Sequence, residues 1–321
     1  MKKYFFIYIA FCLSLPILTC CSTKQIEKTP VDYVNPYMGN ISHLLVSTYP
    51  TVHLPNSMLR VYPERADYTS DRIKGLPLIV TSHRGSSAFN LSPFQGDASA
   101  IKPVVSYSYD QEIIKPYFYS VFLDEPRIEV KYAPSHQSGI YELKTMADKP
   151  TYLMLNSGNG VIQANGNTVS GFQQLENQTK VYMYLETEKP PVRIQSGNEK
   201  ESYQILYLGD QAQTIHLRYG ISFISVEQAR RNLYRELNDY NVEKLARKGR
   251  EKWNETLSKI EITNESDENK AVFYTSMYRC YERPVNISED GRYFSAFDGT
   301  VHEDDGVPFY TDDWIWDTYR A

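Results

Sequence analysis

The chain has 321 residues, 34 Lys and Arg against 39 Asp and Glu, and a formal net charge of −5. That balance argues against a nucleic-acid partner, which needs a basic surface to meet phosphates. The length admits one large or two ordinary domains, and 41% apolar residues suffice for a core. The 27 Tyr outnumber the 13 Phe and 3 Trp. Composition favours a β-rich protein as the reason, since aromatics suit pleated, half-buried surfaces; sugar binding, with rings stacked on pyranose faces, is the alternative.

The N-terminus opens with Lys2 and Lys3 and then an apolar run from Tyr4 to Leu18. The run is short for a bilayer span and has the flanks of a signal peptide. It ends Leu18-Thr19-Cys20-Cys21-Ser22, which resembles a lipobox. Cys21 fits best as the lipidated residue, with Leu18 three positions before it, and Cys20 is the alternative. Residues 22–30 then read as a polar tether. Cys280 would be the one cysteine left in the mature fold, on a predicted helix where buried packing is expected.

From about Val31 to Phe223 the pattern is strand-like. Arg127–Tyr132, Gly139–Lys144, Val181–Leu185, Ser202–Leu208 and Thr214–Tyr219 alternate with period two, one face toward a core. Asn165-Gly166 between two such runs predicts a hairpin turn. Many short strands without intervening helices predict an antiparallel sandwich.

The period changes at Ser225, a predicted helix cap with Gln228 at the capping-box position. Val226, Ala229, Leu233 and Leu237 share one helical face; Val242, Leu245, Ala246, Gly249, Trp253, Leu257 and Ile260 share another. A third helix is expected from about Glu268 to Glu282, capped by Ser266. Beyond Pro284 come three turn signals, Asp290-Gly291, Asp298-Gly299 and Asp305-Gly306, among aromatic and acidic residues. No P-loop, Gly-x-Ser-x-Gly elbow, EF-hand or Cys/His zinc spacing is present.

Several motifs stand in a familiar order: Val34-Asn35-Pro36-Tyr37-Met38-Gly39, then Tyr49-Pro50-Thr51-Val52-His53-Leu54-Pro55, then Tyr119-Ser120-Val121. Phe273-Tyr274-Thr275, Asp290-Gly291-Arg292-Tyr293, Phe297-Asp298-Gly299, Tyr310-Thr311 and Trp316-Asp317-Thr318-Tyr319-Arg320-Ala321 follow. Together they resemble glycoside hydrolase family 92, exo-acting α-mannosidases, over roughly Val31 to Ala321.

The resemblance implies an N-terminal β-sandwich, linking helices and an (α/α)6 toroid that carries catalysis. It divides this chain into a signal peptide (1–21), the tether (22–30), the sandwich (31–224), linking helices (225–262) and the start of the toroid (263–321). It implies removal of terminal mannose with inversion, dependent on calcium, by an acid and a base that the family places beyond the Trp-Asp-Thr-Tyr-Arg motif. No catalytic or metal-ligating residue is therefore expected within this chain, and the chain is expected to be inactive alone. Trp316 and Asp317 match a pair that lines the terminal mannose pocket, and Tyr37 is a candidate to reach it from the sandwich. The expected partners are a mannose-containing glycan and, through the lipid anchor, a membrane of the cell envelope. A non-catalytic glycan-binding or scaffold lipoprotein is the alternative. The sequence departs from the family over 40–90, where His43 and His83 stand in place of the usual pocket segments.

Overall fold

The structure, a computed structural model, describes residues 28–41, 47–65, 70–81, 87–175, 179–197 and 202–311. Cys21, His43, His83, Trp316 and Asp317 lie outside them. The architecture is mainly β: two antiparallel sheets face each other and three helices follow.

The larger sheet has nine strands in the order Gly160–Asn165, Thr168–Gln174, Lys180–Thr187, Thr214–Ser222, Ser138–Thr145, Ile128–Pro134, Phe118–Leu123, Ser106–Lys115 and Arg72–Lys74. The smaller has five, in the order Arg193–Ser196, Tyr203–Gly209, Thr151–Asn156, Ser87–Gln95 and Leu76–Val80. Alternation explains the core between them: Leu91, Leu153 and Leu206 from one sheet meet Val130, Leu143, Met183 and Leu217 from the other. The hairpin at Gly160–Asn165 turns one residue later than its sequence suggests. Asn165 pairs with Thr168, so Gly166 and Asn167 are the central residues. Gly166 takes φ +58, the left-handed conformation that a Gly-first hairpin turn requires.

Tyrosine fills the core for a specific reason. Tyr141 and Tyr219 cross from the nine-stranded sheet and donate to the carbonyls of Pro77 and Leu78 at 2.7 Å each. Tyr107 likewise donates to Pro93 O at 2.6 Å. Each ring supplies apolar area while its hydroxyl satisfies a buried carbonyl on the opposite sheet.

Helix α1, Val226–Glu236, lies on the nine-stranded sheet over Thr214–Ser222 and Lys180–Thr187. Ser225 Oγ accepts from Gln228 N at 3.0 Å. The Gln228 side chain does not close a capping box; it donates to Asn232 and Asp290. Close approach depends on Gly220, where a Cβ would sit 2.3 Å from Ala229 O. Helix α2, Val242–Leu257, is capped by Asn241 and buries Val242, Leu245, Ala246, Trp253 and Leu257. Ile260 falls beyond its end and is exposed. Helix α3, Asp267–Cys280, begins at Ser266, whose Oγ accepts from Asn269 N at 3.2 Å. Cys280 is exposed, contrary to the burial expected, because the faces that dock carry Tyr274, Thr275 and Tyr278.

Candidate functional site

Two segments near the N-terminus meet α2 and α3 in a single joint. Asn35 N donates to Thr275 Oγ1 at 2.9 Å, and Arg279 donates to Pro36 O at 2.7 Å and to Tyr49 O. The Tyr278 hydroxyl meets Thr51 Oγ1 at 2.7 Å. Trp253 Nε1 donates to His53 O at 2.8 Å, and the His53 ring lies 5.0 Å from Tyr278 and 5.3 Å from Trp253. Asn56 continues the seam by donating to Tyr281 O from its backbone and to Pro284 O from its side chain. The motifs at 34–39 and 49–55 thus fasten the sandwich to α3. His53 is fully enclosed, and burial lowers its pKa to about 4, so it is neutral there.

Tyr37 faces the sandwich. Its ring packs on the core and its hydroxyl points to Glu112 Oε2 at 3.4 Å. Glu112 reaches this position through a bulge: pairing between Ser106–Lys115 and Phe118–Leu123 shifts register between Asp110 and Ile113, and Gln111 takes φ 52. Arg65 forms an ion pair with Glu112 and donates to Tyr109 Oη at 2.7 Å, while Tyr119 Oη donates to Glu112 at 3.3 Å. Burial, then the Glu112 charge, push the Tyr37 phenol pKa up, so it stays protonated and can donate. Removing one partner of so enclosed an ion pair would leave a costly unpaired charge. The structure brings Tyr37 to this cluster; the other two sugar-binding candidates, Trp316 and Asp317, lie outside the described residues.

A cleft of about 290 Å³ opens where the edge strand Leu76–Val80 faces the segment after α3. Ile79, Phe223, Val285, Phe294 and Phe309 supply apolar walls, and Arg60 and Arg283 also line it. Arg60 pairs with Glu282 at 2.7 Å, and Arg279 approaches the same carboxylate at 3.8 Å. On one border, Tyr293 stacks on Phe309 with centroids 3.8 Å apart, and Phe297 is wholly exposed. No local motif marks this cleft, since its walls come from residues more than 200 positions apart.

The cleft's outer wall is tied down by a partly buried network. Glu289 accepts from Phe223 N at 2.9 Å with one oxygen and from Asn232 Nδ2 at 2.7 Å with the other. Asp290 accepts from Gln228 at 2.7 Å and pairs with Arg235. Arg235 also reaches Gln137, whose backbone N–H donates to Glu236 at 3.0 Å. Burial raises the pKa of both Glu236 and Glu289. With both oxygens engaged inside the protein, Glu289 works as a fastening between the sandwich and the hairpin formed by Arg292–Ser295 and Thr300–Glu303. Among the described residues no group of three or more His, Cys, Asp or Glu side chains is placed to hold a metal.

Comparison with known proteins gives the fold its relatives. Residues 33–224 match the glycosyl hydrolase family 92 N-terminal domain, and residues 228–321 match the family's catalytic domain. The family GH92 inverting mannosidase BT2199 of Bacteroides thetaiotaomicron VPI-5482 is 26% identical at a TM-score of 0.79, covering 91% of this chain and 45% of its own. The family GH92 α-mannosidase BT3965 of Bacteroides thetaiotaomicron shares the fold at 19% identity and a TM-score of 0.81, over 92% of this chain and 46% of its own. The gh92 family glycosyl hydrolase ccman5 does so at 20% identity and a TM-score of 0.73, over 89% and 45%. No curated protein matches the sequence. This chain therefore spans less than half the length of these solved relatives. With its sandwich and its helical continuation both matched, the chain belongs to glycosyl hydrolase family 92.

Proposed function

We propose that this chain forms the β-sandwich and the opening of the catalytic domain of an α-mannosidase that removes terminal mannose from glycans with inversion. The observation that carries the reading is the likeness to the inverting mannosidase BT2199, which spans 91% of this chain. BT3965, of the same fold, has a structure in complex with mannoimidazole. The cleft beside Phe294 and Phe309 is then one wall of the sugar site. Trp316 and Asp317 would line the terminal mannose pocket, the carboxylate accepting hydrogen bonds from sugar hydroxyls. Tyr37 is assigned to the sandwich side of that site, its hydroxyl oriented by Glu112.

Inversion needs a protonated carboxyl on one side of the anomeric carbon and a carboxylate about 6.5–9.5 Å away to activate water. Glu236 and Glu289, the two carboxyls among the described residues whose pKa burial raises, are committed to the fastening network. From the family resemblance we assign acid, base and most calcium ligands to the part of the catalytic domain that follows the Trp-Asp-Thr-Tyr-Arg motif, and expect the 321 residues to be inactive alone. The purified protein should release no mannose from aryl α-mannosides or α-mannobiosides with or without calcium. Turnover that disappears with EDTA or with Asp317→Ala would overturn the assignment. Joining the remainder of a family catalytic domain should restore activity.

The lipobox supports a further part of this reading, that the mature protein is held at the cell envelope through lipid on Cys21. Cys21→Ala should release the protein from membranes and abolish palmitate labelling; retention without label would refute it.

A further inference from the structure

The outer face of the five-stranded sheet carries a feature that the cleft does not use. Leu91, Leu153 and Leu206 point into the core, so alternation puts Phe94, Tyr152 and Tyr207 on the opposite face. These three are direct cross-strand partners, Phe94 against Tyr152 and Tyr152 against Tyr207. Their ring centroids are 6.4 Å and 5.2 Å apart. Arg193, on the next strand, pairs in register with Tyr207 and lays its guanidinium 5.4 Å from that ring. Beside the row runs a groove of about 300 Å³ lined by Tyr152, Ile205 and Tyr207 and bordered by Ser99, Gln195 and Arg193. Those three border residues are exposed. Helices α1 and α2 pack on the nine-stranded sheet, leaving this face clear of them.

Cross-strand aromatic pairs stabilise a sheet, which accounts for neighbouring rings. It does not account for an open groove along them, nor for an exposed Arg193 that makes no ion pair among the described residues. Tyr152 itself is buried, at 6% exposure, while Tyr207 and Ile205 are partly exposed along the groove. A partly exposed ring edged by hydroxyl, amide and guanidinium donors suits a ligand that is apolar on its flat face and rich in hydroxyls at its rim. Pyranose sugars have that form.

We propose that this face is a second, non-catalytic glycan-binding groove, centred on Tyr207, that takes an extended pyranose oligosaccharide. Tyr207 and Ile205 supply the apolar floor, Arg193 and Gln195 the hydrogen bonds that set orientation. The Tyr207 hydroxyl is itself held by Asp210 at 2.8 Å, which fixes the ring. The proposal does not depend on the hydrolase reading of the cleft, because it needs neither the catalytic half nor calcium.

Affinity gel electrophoresis of the purified protein in soluble α-mannan and in polygalacturonate tests it. Retardation by at least one glycan is expected, the two arms separating neutral from acidic chains. Tyr207→Ala should weaken it by about tenfold or more, the loss of a central aromatic anchor. Tyr207→Phe should retain most of the binding, and Ser99→Trp, on the exposed border, should block the groove without disturbing the core. No retardation in either glycan would overturn the proposal. So would retardation that survives both Tyr207→Ala and Ser99→Trp.

Discussion

Trp253→Ala tests whether the joint between the sandwich and α3 is built as described. The indole is fully buried, lies against His53, Tyr278 and Tyr281, and donates to His53 O at 2.8 Å. Truncating a buried Trp to Ala costs about 3–5 kcal/mol. His53 O is also left without its donor inside the protein, which brings the expected loss to about 4–6 kcal/mol. At roughly 2–4 °C per kcal/mol for a chain of this size, the melting midpoint should fall by on the order of 10–20 °C. Trp253→Phe keeps most of the ring contact and deletes the donor, and should lose only about 1–2 kcal/mol. Urea titration followed by circular dichroism measures both losses. Hydrogen exchange by mass spectrometry should show segments 47–60 and 273–286 losing protection together in Trp253→Ala. A loss under about 1.5 kcal/mol, or exchange that rises only around residue 253, would refute the idea that one aromatic box holds the joint.

His53 predicts a pH dependence. Its folded pKa of about 4 lies below the unfolded value of 6.5, so its contribution is complete above pH 6.5 and is lost as pH falls from 6.5 toward 4. The slope approaches about 1.4 kcal/mol per pH unit within that window, and His53→Gln, which cannot titrate, should show a slope smaller by that amount. Glu282, Arg60 and Arg279 surround the ring and are unchanged in that comparison. Gly220→Ala should push α1 off the sheet, since the added methyl would lie 2.3 Å from Ala229 O and 2.9 Å from Leu233 N. A loss of about 1–3 kcal/mol by thermal unfolding is expected, with overpacking as the cause. Phe297→Ser, at a wholly exposed ring, should leave stability within about 0.5 kcal/mol while reducing binding of a hydrophobic dye.

Much of the fold could be read from the sequence because its cues are local. Period-two alternation in Lys180–Thr187 or Thr214–Ser222 reports a half-buried strand without reference to any partner. Ser225 and Ser266 announce helix starts for the same reason, through a hydroxyl three residues from the amide it accepts. The miscounted features are those settled by partners far along the chain. Cys280 was expected inside because Met277, Tyr278 and Tyr281 surround it in sequence, yet the docking surface selects Tyr278 and leaves Cys280 outside. Ile260 matched the period of α2 but falls after its last turn. Glu112 gave no signal at all: only the bulge at Gln111 turns it inward to Arg65 and Tyr37. Of the candidate site, Tyr37 was visible as part of a motif, whereas the cleft joins Ile79, Phe223 and Phe309 through tertiary packing alone.

The joint also has a consequence for how the chain acquires its shape. Thr51, His53 and Asn56 are synthesised 200 residues or more before the partners they bind, Tyr278, Trp253 and Pro284. Such contacts raise the mean sequence separation, and loops of that length must close before the contacts reward them, which slows folding. The strap at 49–56 must therefore wait, with His53 and Leu54 uncovered, until α2 and α3 arrive. During that wait it is the part of the nascent protein most open to wrong pairings.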